Sequence, residues 1–272
     1  MVQGTPTGRW ILDGHFGGRM RVDPDPWLES ILGYRVFRIT ASNVSQSPGC
    51  ENRDLREIFD MAGQGRAFYY AKAPTLDVER VKDFTHAGFT VVDVNVTFSR
   101  RPSPIEDMSD PKICVKDVGP EEHEAVLKIA ENSFVYSRFH LDPQIDNELA
   151  NAVKREWVRN YVLGRRGERL LVAKYDGAPV GFLAVLSAQD GERTRMGVID
   201  LIAVAGSHQG RGIGRSLVNY FVNESVEAYS VVRVGTQIAN IPSMRLYQAC
   251  GFHISDTAYV LHAHLWNGRP NE

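Results

Sequence analysis

Leu149, Val153, Trp157 and Tyr161 recur every four residues and share one face of a predicted helix that Asp146 can cap and Gly164 can end. A second helix is expected from about Glu121 to Phe134, after a short strand at Ile113 to Lys116. Arg169 to Tyr175 and Pro179 to Ser187 read as strands joined by Asp176-Gly177, which is hairpin chemistry. Met196 to Val204 reads as a third strand and runs into a glycine-rich segment, then a helix with Ile213, Leu217 and Phe221 on one face. Strand Val231 to Gln237, a helix starting near Pro242 and a final strand pair around Phe252 to Leu265 complete this half. The sheet is therefore expected to be mixed, antiparallel first and parallel across the glycine-rich helix.

The front half reads as strand Tyr34 to Thr40, helix Glu51 to Ala62, strand Arg66 to Lys72, helix Leu76 to His86 and strand Thr90 to Ser99. That β-α-β-α-β order belongs to a small α/β layer structure. Between the halves, Arg100 to Pro111 holds three prolines and mixed charges, the composition of a linker. The expectation is an α/β protein of two domains, residues 1–105 and 106–272.

The 272 residues are 43% hydrophobic and 24% charged, which excludes disordered, collagenous and coiled-coil classes. A formal net charge of -2 gives no global field to gather nucleic acid or an anionic membrane, so any anion site must be local. Met1 to Gly18 lacks the apolar run of a signal peptide and no stretch is long enough to span a bilayer; a cytoplasmic protein is expected. Cys50, Cys114 and Cys250 are odd in number and far apart, unlike a disulfide framework or a zinc site, so no metal is expected.

Two segments carry chemistry. Gln209-Gly210-Arg211-Gly212-Ile213-Gly214 sits between a strand and a helix, where unpaired amides and the helix dipole favour an anion such as a pyrophosphate. Its spacing is neither the Gly-x-Gly-x-x-Gly of dinucleotide folds nor a Gly-Lys-Ser/Thr loop. After the next strand, Asn240 is followed by Tyr247 and by Gly251-Phe252. Together, Gln-x-x-Gly-x-Gly and Asn-x(6)-Tyr-x(3)-Gly-Phe resemble the GNAT superfamily of acetyl-CoA-dependent N-acetyltransferases, over roughly residues 112 to 265.

Further segments are similar to the nucleotide-sugar N-acetyltransferases of that superfamily, of the dTDP-fucosamine type. They are Ser137-Arg138-Phe139-His140, Trp157 with Asn160, Gly235-Thr236-Gln237 with Asn240, and Asp256-Thr257-Ala258-Tyr259. Trp27 to Tyr34 resembles the entry to the truncated acetyltransferase-like half that precedes the catalytic one in that family, with departures at Leu28, Ile31 and Leu32.

The resemblance implies a GNAT fold in which two strands splay apart, with pantetheine on the backbone of Ile202, Ala203 and Val204. It places the pyrophosphate on amides from Gln209 to Gly214, helped by Arg211 and Arg215. Amide formation needs a neutral amine, a polarised thioester carbonyl and a proton for the departing thiolate. Tyr247 matches the family's proton donor, its alternative being a core tyrosine beside Met244 and Cys250. Asn240 would brace the pantetheine arm or the carbonyl, cap a helix, or both. The Ile202 amide would serve the carbonyl oxygen.

Candidates for a base are Asp200, placed by strand alternation on the face of Ile202, then His140 and His208. A sugar nucleotide would meet Tyr136, Arg138, Phe139, His140 and Trp157, with Lys154, Arg155 and Arg159 nearby or, alternatively, on a solvated face. The expected reaction is direct acetyl transfer to a dTDP-4-amino-4,6-dideoxyhexose in a ternary complex. Another small-molecule or peptide amine, or a non-catalytic acyl-CoA sensor, are the alternatives. No nucleic acid or membrane partner is expected, and a homodimer is compatible with a sequence that specifies no assembly.

Overall fold

A computed structural model describes residues 2–4, 10–12, 20–41, 59, 64–106, 110–190 and 194–270. Two compact units emerge, Met1–Val94 with Thr257–Glu272, and Asn95–Asp256. The helix expected over Glu51 to Ala62 lies, apart from Phe59, outside the described residues, as does Cys50.

In the first unit, strands β1 (Val2–Gly4), β2 (Trp10–Leu12), β3 (Met20–Pro24) and β4 (Arg35–Ala41) follow one another antiparallel, and β5 (Arg66–Pro74) adds parallel to β4. Helix α1 (Pro26–Leu32) has local causes: Asp25 accepts the Leu28 amide proton at 3.0 Å, proline opens the first turn, and Gly33 ends it at φ 79. Helix α2 (Val78–His86) begins in the same way, with Asp77 accepting from the Arg80 amide. Phe84 and Phe89 pack edge to face in a core with Tyr69, Ile39 and Leu261.

Strand β6 (Thr90–Arg100) leads into the second unit. There β7 (Ile113–Asp117), α3 (His123–Asn132), α4 (Asn147–Val162), β8 (Arg169–Tyr175), β9 (Ala178–Asp190) and β10 (Thr194–Val204) follow. Helix α5 (Ile213–Glu224), β11 (Val231–Gln237) and α6 (Ile241–Ala249) complete the set, making six α-helices among the described residues. Strand order is β6-β11-β10-β9-β8-β7, antiparallel except for the parallel β10–β11 pair, the mixed sheet expected. Asp176 and Gly177 turn the β8–β9 hairpin with φ of 47 and 83.

Each face of this sheet has its own core. Leu217, Val218 and Phe221 of α5 and Tyr247 of α6 pack with Val96, Leu183, Ile199 and Val234 on one side. Val126 and Ala130 of α3 and Val158 and Tyr161 of α4 pack with Phe182, Leu201 and Ala203 on the other. None of the described helices is long and apolar enough to cross a membrane.

The final segment differs from expectation. Instead of a strand pair there is one strand of 14 residues, β12 (His253–Trp266), and a two-residue return, β13 (Arg269–Pro270). Ala258 to Trp266 pair with β5, so residues 257–272 group with the first unit, although the expected division placed them with 106–272. A partner strand so distant in sequence leaves no local signature.

Candidate functional site

Strands β10 and β11 pair only from Met196 opposite Val231 to Ile199 opposite Val234. Beyond that point β10 runs on to Val204 beside β9, and β11 to Gln237 beside β6, so the two edges part company. The cause is local. Ile199 faces Val185 and Leu201 faces Ala184, so Asp200 is the extra residue of a β-bulge, and a bulge bends the strand and increases its twist.

The bulge also corrects the alternation expected for Asp200 and Ile202. Ile199, Ile202 and Val204 pack toward α5 and α6, whereas Leu201 and Ala203 pack toward α3 and α4. The Asp200 side chain meets Trp157 and Tyr161 of α4, and so lies on the face opposite Ile202.

Beyond β10, a short 3-10 turn at Gly206–His208 precedes the glycine-rich segment. Gly210 and Gly212 have φ of 77 and 81, a region where a side chain strains the backbone. Gly214 serves another need, because a Cβ there would sit 3.2 Å from Leu246 of α6. The first helical bond of α5 runs from the Ser216 amide to the Gly212 carbonyl, and no side chain caps this end. The amides of Ile213, Gly214 and Arg215 are thus left without helical acceptors, and the helix dipole adds partial positive charge. Gln209 donates back to the Val204 carbonyl at 3.1 Å and closes the turn. Arg211 and Arg215 are exposed, with the Arg211 guanidinium 5.5 Å from the Tyr175 ring centroid. His208 shares a hydrogen bond with Ser207, 2.9 Å away.

On α6, Asn240 occupies the N-cap and accepts from the Ser243 amide at 3.2 Å, so the capping role is realised. Tyr247 is 2% exposed, with its ring between Phe98 and Phe252 at 5.7 and 6.2 Å. It belongs to the cluster against which Ile202, Val204 and Met244 pack. Burial pushes its pKa up, which keeps the phenol protonated.

Across the sheet, Asp200 is the hub of a polar cluster. Its Oδ2 accepts from Trp157 Nε1 at 2.8 Å, Tyr161 OH at 2.7 Å and Arg166 Nε at 2.8 Å, and its Oδ1 accepts from Arg166 Nη2 at 3.0 Å. Both oxygens of this carboxylate are thus engaged by neighbouring donors, an arrangement that suits a positioning role better than that of the expected base. Arg166 and Tyr161 escaped the sequence reading, because no spacing links them to Asp200.

Other expected acceptor-site residues separate by burial. Phe139 is 1% exposed with the Arg138 guanidinium 4.4 Å from its ring centroid, so it anchors the loop and offers no face to a base, a correction to its expected stacking role. His140 has both ring nitrogens engaged, Nδ1 with Ser137 Oγ at 2.6 Å and Nε2 with Asn151 Oδ1 at 2.9 Å. Burial lowers its pKa, so it is neutral at physiological pH. Tyr136 and Trp157 are half-buried. Lys154, expected beside Arg155 and Arg159, is instead 7% exposed.

Comparison with known proteins agrees with this geometry. Residues 125–252 match the model of the acetyltransferase (GNAT) family. The chain is 32% identical over 151 residues to the spore coat polysaccharide biosynthesis protein SpsD of Bacillus subtilis strain 168, covering 55% of this chain and 50% of that one. It thus spans half the length of that relative. It is 23% identical over 247 residues to dTDP-fucosamine acetyltransferase of Escherichia coli O6:H1, covering 90% of this chain and 98% of that one. The crystal structure of a GCN5-related N-acetyltransferase from Sphaerobacter thermophilus superposes with a TM-score of 0.61 at 13% identity, covering 93% of this chain and 78% of that one. The bulged and diverging strands, the amide-rich turn and the family match together identify residues 125–252 of the second unit as a GNAT acetyltransferase domain.

Proposed function

We propose that this protein transfers acetyl from acetyl-CoA to the amino group of a dTDP-linked amino-deoxysugar. The observation that carries the reading is the pairing of two features at one end of β10: strands that part after Ile199 and Val234, and a turn whose amides have no acceptor. The parted edges offer backbone groups to an extended amide-bearing arm, and the turn with Arg211 and Arg215 suits a pyrophosphate. Acetyl-CoA has both parts and supplies the activated acyl group.

In this reading Ile202, Ala203 and Val204 orient the pantetheine, and amides from Gln209 to Gly214 hold the diphosphate. Tyr247, kept protonated by burial, delivers a proton to the departing thiolate. The cap formed by Asn240 fixes the start of the helix that carries Tyr247. The sugar nucleotide takes the α4 face, where Tyr136, Arg138 and Trp157 combine aromatic surface with positive charge. The names of the two relatives, both of sugar metabolism, support this acceptor class.

The test is release of CoA from acetyl-CoA with dTDP-4-amino-4,6-dideoxyhexoses, compared with simple amines and peptides. Selective turnover of the dTDP-sugar is expected, and turnover of peptides alone would remove it. Tyr247→Phe is expected to lower kcat by roughly a hundredfold, within the range for general acid catalysis, with acetyl-CoA affinity retained. An unchanged rate would take the tyrosine out of the mechanism.

A further inference from the structure

Three cations project from α4 within six residues, and the structure treats them differently. Arg155 is held by Glu124 at 3.0 Å and Glu131 at 3.3 Å, and Arg159 by Glu156 at 2.8 Å. Both are ordinary surface ion pairs. Lys154 is different. Its ammonium lies 4.8 Å from the Phe134 ring centroid and 5.1 Å from that of Trp157, and among the described residues no hydrogen-bond acceptor meets it.

An ammonium seated against two rings in a side chain only 7% exposed, with no acceptor among the described residues, costs stability unless something outside the chain accepts from it. The charged and titratable groups that face it are Arg138 and His140 from the preceding loop and Asp200 from β10. Arg138 repels it and His140 is neutral. Asp200 attracts it, but that carboxylate is already bound to Arg166, Trp157 and Tyr161. Burial first, then Arg138, pushes the Lys154 pKa down to about 8, the mark of an ammonium short of negative charge. Apolar packing alone would be served better here by methionine, so the cation makes physical sense as a group whose partner arrives with a ligand.

We propose that Lys154 is a substrate-contacting residue that receives the diphosphate of the acceptor. The proposal rests on the dTDP-sugar reading and deepens it by naming the group that reads the acceptor's charge. The Phe134 and Trp157 rings exclude water around the ammonium, and a diphosphate oxygen supplies the missing acceptor. The neighbouring Arg138 gains from the same negative charge.

The experiment uses the full chain saturated with CoA and dTDP-glucose as probe, a ligand that has the diphosphate, whose charge is constant above pH 7, and no amine. Lys154→Met is expected to weaken dTDP-glucose binding by roughly tenfold to a hundredfold, the worth of one charge-assisted hydrogen bond. Its Tm is expected to equal or exceed that of the wild type, because a buried unpaired charge has been removed. Lys154→Arg, which keeps the charge, is expected to retain most of the affinity. Wild-type affinity should fall as pH rises through about 8 and the ammonium is lost, with no such fall in Lys154→Arg. If Lys154→Met folds poorly, the arginine variant and the pH profile decide the matter. Wild-type turnover of the dTDP-amino sugar together with pH-independent probe binding, or with unaltered binding in Lys154→Met, overturns this inference alone. Absence of turnover on any dTDP-sugar overturns the reading beneath it as well.

Discussion

Asp200 shows how little a residue's type says about its task. A carboxylate two residues from the candidate oxyanion donor suits a base, yet its two oxygens accept from four donors, and its side chain is 11% exposed beside an Arg166 that is 37% exposed. Asp200→Asn would set an amide against three donor groups and strip Arg166 of its counter-charge. The expected loss is about 3 kcal/mol, the lower end for breaking a buried pair because the arginine is partly wet. Urea unfolding checks it, and a loss under about 0.5 kcal/mol would mean that the cluster contributes little. The same variant separates hub from base: a base predicts lost turnover at native stability, a hub predicts the two falling together. The Asn240 cap and the glycines of the turn were legible because a cap and a backbone angle are set by neighbours in the chain. The hydrogen-bond partners of Asp200 and the burial of Lys154 and Phe139 were not legible, because their surroundings come from other elements.

Elements with local causes were the ones that pattern could find. Helix α4 was legible from its four-residue stripe, the β8–β9 hairpin from Asp-Gly, and β11 from its apolar run, while β3 and α1 went unread although Asp25-Pro26 was a visible start signal. The entry to α3 shows what pattern misses. Glu122 is 1% exposed, accepts from the Gly119 amide at 2.7 Å, and binds Lys116 at 2.7 Å and Lys174 of β8 at 3.1 Å. The Lys116 bond, followed by the other hydrogen bonds against the opposing effect of burial, holds its carboxyl at about 2, below the ordinary glutamate value of 4.5. A depressed carboxylate pKa contributes stability that is fully present above about 4.5 and is lost as pH falls through about 2. Glu122→Gln is therefore expected to be less stable than wild type at pH 7, with the gap closing between pH 5 and 2. Denaturant midpoints across that window check it, and a gap independent of pH would leave only a neutral packing role.

For the molecule as a whole, the proposed chemistry requires acetyl-CoA and acceptor to be bound together, since the amine must reach the thioester directly. Initial rates with both substrates varied are expected to give intersecting double-reciprocal lines. Parallel lines would signal a covalent acyl-enzyme, for which the described cysteines, Cys114 exposed and Cys250 buried, are the groups to examine. The sequence by itself determined the elements with local start and stop signals, the mixed character of the sheet and the two motifs at the ends of β10 and β11, because caps, turns, periodicity and helix starts act over a few residues. Only the tertiary structure decided that β12 pairs with β5, that an extra residue at Asp200 turns one strand from its neighbour, and that Lys154 is buried with no acceptor among the described residues. The physical reason is that strand pairing, burial and the energy of a charge depend on groups brought together from distant parts of the chain, and no local pattern carries that information.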